Sequence, residues 1–195
     1  LPVASRLNAQ LTDAANRNRV APFISWSSYN QGLIHFHQNE LDSAIHHFGH
    51  AAEHGYLMLR RADVDSMVGL SLAHQFKGET KKADAVLKRL SEYVGPFNDP
   101  LLFEIAHSSK QRLSLMKGEV PSTQGIEGVG RKTDIGAMAL WLEVPFITQC
   151  RILLAQESNA GFQEAEEKLL ECLKLNQTHH NTYQLIEVLT LLAVA

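Results

Sequence analysis

The sequence predicts an all-α fold: antiparallel helix pairs stacked as repeats of about 40 residues and wound into a right-handed superhelix. Two observations predict it. Apolar residues recur at helical spacing along most of the 195 residues, with no competing strand alternation. A short polar turn also returns at near-constant intervals, and a period of this size marks a solenoid of helix pairs.

The first repeat is legible directly. Gly32, His35, Ala44, Phe48 and Ala51 follow one another as small, bulky, small, aromatic and small residues around the turn Asn39-Glu40-Leu41. Gly32 and Ala44 would let the two helices of the pair approach closely, while Phe48 fills the space between units. This is the skeleton of a tetratricopeptide unit. The turn returns as Lys77-Gly78-Glu79, with Ala83 placed after it as Ala44 is after Asn39, and again as Lys117-Gly118-Glu119, where Thr123 replaces the alanine. A fourth turn is assigned to Gly161, between Ala155-Gln156-Glu157 and Phe162 to Ala165, so the turn positions are 39, 78, 118 and 161. The period exceeds the ~34 residues of a standard tetratricopeptide and nears that of armadillo and HEAT repeats. The single turn glycine and the small-residue placement favour tetratricopeptide-like pairs with extended helices.

Helices are expected near residues 3–16, 22–38, 40–54, 58–77, 79–94, 99–117, 139–157, 160–176 and 178–195. They group into repeats near 20–56, 57–97, 98–138 and 139–177 with a final helix over 178–195, all one helical-repeat domain cut from a larger protein. Gly55 ends one helix and Gly95-Pro96 another, while Asp99-Pro100 supplies an N-cap followed by proline at the first helical position. Between Gly118 and Gly136, the glycines at 125, 128, 130 and 136 and Pro121 cost helix ~1 kcal/mol per glycine. A short helix or a mobile loop is expected there.

Composition removes several function classes. Lys and Arg number 18 against 21 acids and are scattered, with no basic stripe to track phosphates, so nucleic acid is not an expected direct partner. The longest apolar run, Leu185 to Ala195, is broken by Glu187 and Thr190 and falls short of the ~20 residues that span a bilayer. Cys150 and Cys172 stand 22 residues apart without a CxxC pair, which argues against structural zinc and for a reducing cytoplasm. The segment Gly125 to Gly130 lacks the Lys-Ser/Thr ending and preceding strand of a phosphate loop. No nucleophile stands with a base and no pair of carboxylates shares a loop, so catalysis is not expected, nor is any cofactor in this segment.

The binding residues expected are therefore surface ones. His35 and His74 take the same slot in successive repeats, a packing signal first and a ligand contact second. Tyr56, Arg60 and Arg61 mark an inter-repeat junction. Trp141, Glu143 and Arg151 form the least repeat-like block, with the two charges eight residues apart and Pro145 near a helix start. They read either as a ligand or interdomain surface or as a core tryptophan with a structural ion pair. His46, His50 and His54 lie along one helix face directed away from Ala44, Phe48 and Ala51, with no further ligand in sequence, so no metal site is expected. His179-His180 reads as the first turn of the last helix.

Four blocks carry a family resemblance: Asn39 to Phe48, Ala62 to Leu72, Trp141 to Pro145 with Gln149 to Gln156, and His180 to Leu189. Together they resemble the helical repeat region of MalT-like, large ATP-binding LuxR-type transcriptional regulators over roughly residues 20 to 195. The resemblance implies a cytoplasmic sensor and scaffold segment. It would bind a small inducer or protein partner, control self-association, and work beside parent ATPase and DNA-binding modules. ATP would belong to the parent module, and the alternative is a constitutive protein-protein scaffold without a small ligand.

Overall fold

A computed structural model describes residues 2–54, 59–121, 141–179 and 181–195. Among the described residues there are nine α-helices and no strand. They are α1 (Pro2–Asn18), α2 (Ala21–His37), α3 (Leu41–Glu53), α4 (Arg60–Phe76), α5 (Thr80–Val94), α6 (Pro100–Met116), α7 (Pro145–Ala155), α8 (Asn159–Thr178) and α9 (Thr182–Leu192). The chain divides into two compact units, Leu1–Ala106 and His107–Ala195, the division falling within α6.

In the N-terminal unit each helix from α1 to α5 packs on the next, and α2 also touches α4. In the C-terminal unit α7 packs on α8 and α8 on α9, and α7 touches α9. The alternate contacts α2–α4 and α7–α9 are consistent with stacking of helix pairs.

One turn geometry recurs after α2, α4, α6 and α7. Asn39, Gly78, Gly118 and Glu157 all have positive φ, at 60°, 75°, 81° and 49°. Each stands two residues after the last residue of its helix. The amide of the left-handed residue donates to a carbonyl three residues back: Asn39 to Phe36, Gly78 to Gln75, Gly118 to Leu115 and Glu157 to Leu154. In the first three turns the next amide reaches five residues back, from Glu40 to His35, Glu79 to His74 and Glu119 to Ser114. Those are the two hydrogen bonds of a Schellman cap, which satisfy helix-end carbonyls.

The fourth turn corrects the sequence expectation. Gly161 lies inside α8, where its amide donates to the N-cap hydroxyl of Ser158 at 3.1 Å, and Glu157 holds the left-handed position instead. The turns at 39, 78, 118 and 157 are thus 39, 40 and 39 residues apart. The inserted residues implied by a turn at 161 do exist, as an extra stretch at the start of α8. Ala165, Leu169 and Cys172 repeat the spacing of Ala44, Phe48 and Ala51 and of Ala83, Leu87 and Leu90, but begin eight residues after the turn residue, not five. A Cβ at Gly161 would stand 2.7 Å from the Leu153 carbonyl oxygen, so the glycine lets α8 approach α7 closely.

The core positions read from the first repeat are occupied as expected. Ala44, Phe48 and Ala51 are fully buried, and a Cβ at Gly32 would meet the Phe48 ring at 2.5 Å. Asp99 Oδ1 accepts from the Leu101 amide at 3.0 Å ahead of Pro100, as the N-cap reading requires.

Two further boundaries differ. The seventh helix begins at Pro145, and Val144, at φ −123° and ψ 107°, is extended. The residue before proline is pushed out of the helical region by the proline ring, which stops the apolar pattern of Trp141 to Val144 from joining the helix. The last helix begins after Asn181, whose side chain accepts from the Gln184 amide, while His179 is the C-cap of α8. His179 therefore closes one helix and does not open the next. The zone from 122 to 136 expected to be a short helix or loop, together with His180, lies outside the described residues.

Candidate binding sites

Two groups of buried charge stand out, one in each unit. In the N-terminal unit α4 is buried at every position from Ala62 to Ala73, including Asp63 and Asp65 at 1% and 0% exposure. Carboxylates so placed need donors. Tyr29 of α2 donates to Asp65 Oδ2 at 2.8 Å, and Arg61 one turn earlier reaches Asp65 Oδ1 at 3.3 Å. Tyr93 of α5 donates to Asp63 Oδ2 at 2.8 Å, while Asp63 Oδ1 has no hydrogen-bond partner. Burial pushes the Asp63 carboxyl up to about 6, against the hydrogen bond from Tyr93. Burial and the same hydrogen bond push Tyr93 up to about 12.

Arg60 is the exposed member of this group. Its guanidinium lies over the Phe97 ring at 4.4 Å from the centroid, and its N–H groups have no hydrogen-bond partner among the described residues. A cation over an aromatic face is attracted by the ring without spending its N–H donors on it. Of the junction residues singled out by sequence, the structure therefore brings Arg60 and Arg61 to one end of α4, and Tyr56 lies outside the described residues.

His35 and His74 occupy equivalent places in the first two turns. Each Nδ1 lies 2.6 Å from a carboxylate oxygen across the turn, His35 from Glu40 and His74 from Glu79. Both pairs close the same Schellman cap from its two ends. Lys77 bonds Asp42, so charge also links the first turn to the second. His35 further stacks on His47 of α3, centroids 5.2 Å apart and rings nearly parallel.

In the C-terminal unit the segment Trp141 to Val144 is buried at every residue, and Glu143 is fully buried. Two helices supply its partners. Ser108 and Arg112 of α6 bond the carboxylate, Arg112 at 3.1 Å to Oε2, and Arg112 also donates to the Leu142 carbonyl. Thr148 of α7 donates to Glu143 Oε1 at 2.7 Å and accepts from Arg151 Nη1 at 2.6 Å. Arg151 in turn pairs with Glu187 of α9. Two cations thus meet two anions in one chain that ties α6, the extended segment, α7 and α9.

Burial alone would raise the Glu143 pKa. Arg112, Arg151 and the hydroxyls of Ser108 and Thr148 outweigh it and hold the carboxyl below its ordinary value. Burial works to lower Arg112, yet Glu143 and Glu187 hold it above its ordinary value, while burial and Arg112 lower Arg151. Of the sequence-predicted block, Glu143 and Arg151 are brought together through Thr148, which bonds both, while Trp141 is buried two residues before Glu143. Ser108, Arg112, Thr148 and Glu187 complete the group and carry no local sequence signal.

Other chemistry is quiet. Cys150 and Cys172 are free, buried thiols pushed up to about 12 and about 11 by burial. Among the described residues no three His, Cys, Asp or Glu side chains gather to hold a metal ion, and no helix is long and apolar enough to cross a membrane. No family model, curated protein or solved structure matches the chain.

Proposed function

We propose that the chain is a regulatory sensor or scaffold segment, a tetratricopeptide-type right-handed superhelix of the kind found in MalT-like, LuxR-type regulators. It binds a protein partner or small inducer on its repeat surface, in the cytoplasm, and so controls assembly of a parent protein bearing ATPase and DNA-binding modules. The observation that carries this reading is the recurring cap at Asn39, Gly78, Gly118 and Glu157, because helix pairs repeated in register build extended binding surfaces. Catalysis forms no part of the reading.

Within that surface the binding position favoured is Arg60 with Phe97. It offers donors that are uncommitted among the described residues, beside an aromatic face, which suits a carboxylate or phosphate on the bound molecule. Arg151 and Glu143 are spent on each other's neighbourhood and serve as the clasp of their unit. The test is a melting-temperature screen with anionic metabolites, run beside calorimetric titration with the parent ATPase module, on wild type and Arg60→Glu. A ligand or module that binds wild type and loses at least about tenfold in affinity on charge reversal supports the reading. Binding to the module with no metabolite response selects the constitutive scaffold, and silence in both assays rejects both forms.

A further inference from the structure

The first two repeats share a cap but differ in what lies beside it. His35 with Glu40 and His74 with Glu79 make the same 2.6 Å contact across the turn. A carboxylate only accepts, so Nδ1 of each ring carries a proton. In the second repeat Ala85, Val86, Arg89 and Tyr93 stand at the distances from Gly78 at which His46, His47, His50 and His54 stand from Asn39 in the first. The imidazoles of the first repeat lie in contact. His47 is half-buried and stacks on His35 of α2, centroids 5.2 Å apart and planes at 4°, and its other neighbour, His46, meets it edge-on at 5.1 Å. His50 and His54 stack at 4.6 Å, and His50 Nδ1 lies 3.0 Å from Ser28 Oγ of α2.

We propose that the α2–α3 pair is an acid-sensitive element of the fold: positive charge gathering on the stacked His35 and His47 and on their neighbours loosens this pair, while the α4–α5 pair stays closed on the same cap. Neutral rings stack, whereas two imidazoliums face to face at 5.2 Å repel. The surrounding charges do not cancel this. Helix α2 presents His35, with Glu40 following in the turn, and α3 itself presents His46, His50, Glu53 and His54. Helix α4, packed on α3 as well, is followed by Lys77, which is paired with Asp42 at the start of α3, and Arg89 of α5 donates to the Ala52 carbonyl near its end. Two carboxylates, Glu40 and Glu53, are thus set among five imidazoles. Burial, then His35, His46 and His50, hold His47 below its ordinary value, and burial and His54, with Glu53 opposing, do the same for His50. The folded chain therefore binds these protons less tightly than the unfolded one. The corresponding stability is fully present above the ordinary 6.5 and is lost as pH falls below it through the folded values. Asp63 of α4 titrates in the opposite sense, so acid separates the behaviour of the two pairs.

Hydrogen exchange of the whole chain, read by mass spectrometry and corrected for the intrinsic pH dependence of exchange, tests this on wild type and on His47→Val, which copies the second repeat. Between about pH 7.5 and about pH 5, protection of α2 and α3 is expected to fall at least about tenfold in wild type, with no such fall in α4 and α5. In His47→Val the fall in α2 and α3 should shrink to less than about threefold. Should that variant fail to fold, a ring-proton magnetic-resonance titration of wild type decides: a His47 midpoint below the ordinary 6.5 is expected, and one at or above it overturns the proposal. Constant protection of α2 and α3 in wild type, an equal fall in α4 and α5, or an undiminished fall in His47→Val also overturns it.

Discussion

The two compact units bury charge in opposite ways. In the N-terminal unit two carboxylates of one helix, Asp63 and Asp65, are served by tyrosine hydroxyls and by Arg61, and one oxygen of Asp63 accepts nothing. In the C-terminal unit Glu143 is surrounded by donors from two helices, and its cations are matched by a second carboxylate, Glu187. The second arrangement closes on itself. It ties the Trp141 to Val144 segment to α6 and α7 and, through Arg151 and Glu187, to α9, but leaves little charge to offer outside. The first keeps its neighbouring cation, Arg60, at the surface, which is why binding is proposed there.

That contrast makes unequal demands on stability. Breaking a buried, charge-matched group from one side strands the remaining ions, so Glu143→Ala should destabilise the C-terminal unit by about 3–5 kcal/mol. Denaturant unfolding of the variant, with hydrogen exchange of α7 and α9 as the local reading, measures it. A loss under about 1 kcal/mol would remove the clasp from the account.

Asp63 should behave in the opposite sense. Its folded pKa, about 6, lies above the ordinary 3.8, so the folded chain binds this proton more tightly than the unfolded one. The corresponding stability is fully present below about pH 4 and is lost as pH rises through about 6, up to about 3 kcal/mol in all. Asp63→Asn should flatten that part of the pH–stability curve relative to wild type. Parallel curves for the two proteins would show that the buried carboxyl is not strained.

The smallest effect concerns the turns. Glu157 holds a left-handed conformation that costs a residue with a Cβ roughly 1–2 kcal/mol, whereas asparagine adopts it readily. Glu157→Gly should stabilise the chain by about 1 kcal/mol and Asn39→Gly by a few tenths, measured by denaturant midpoint. Equal changes would mean that the two turns are not under the same constraint.

Among the described residues the number and order of helices were legible because apolar periodicity, Gly78, Gly118 and the Asp99-Pro100 start each act locally. The fourth turn was not, since Glu157 takes the left-handed position without the glycine that usually marks it, and Gly161 nearby serves helix approach instead. Trp141 to Val144 has an apolar pattern that continues into α7, and only Pro145 signals that the backbone turns extended before it. The buried networks were least legible. Arg112 meets Glu143 across 31 residues and Arg151 meets Glu187 across 36, so no local pattern announces either pair. Asp63 and Asp65 did leave a trace, as two acids in the stretch Ala62 to Leu72 whose other residues are apolar or small, which signals buried partners without naming Tyr29 and Tyr93.

The central claim is that the chain works by binding through the N-terminal unit, at Arg60, while the Arg112–Glu143–Arg151 group only holds its own unit together. Affinity capture from the native host with the whole chain tests it most directly, comparing wild type, Arg60→Glu and Arg151→Lys, each verified as folded. The account predicts a stoichiometric partner or retained metabolite on wild type and Arg151→Lys that is absent from Arg60→Glu. Loss from Arg151→Lys with retention by Arg60→Glu would contradict it and move the binding surface to the C-terminal unit.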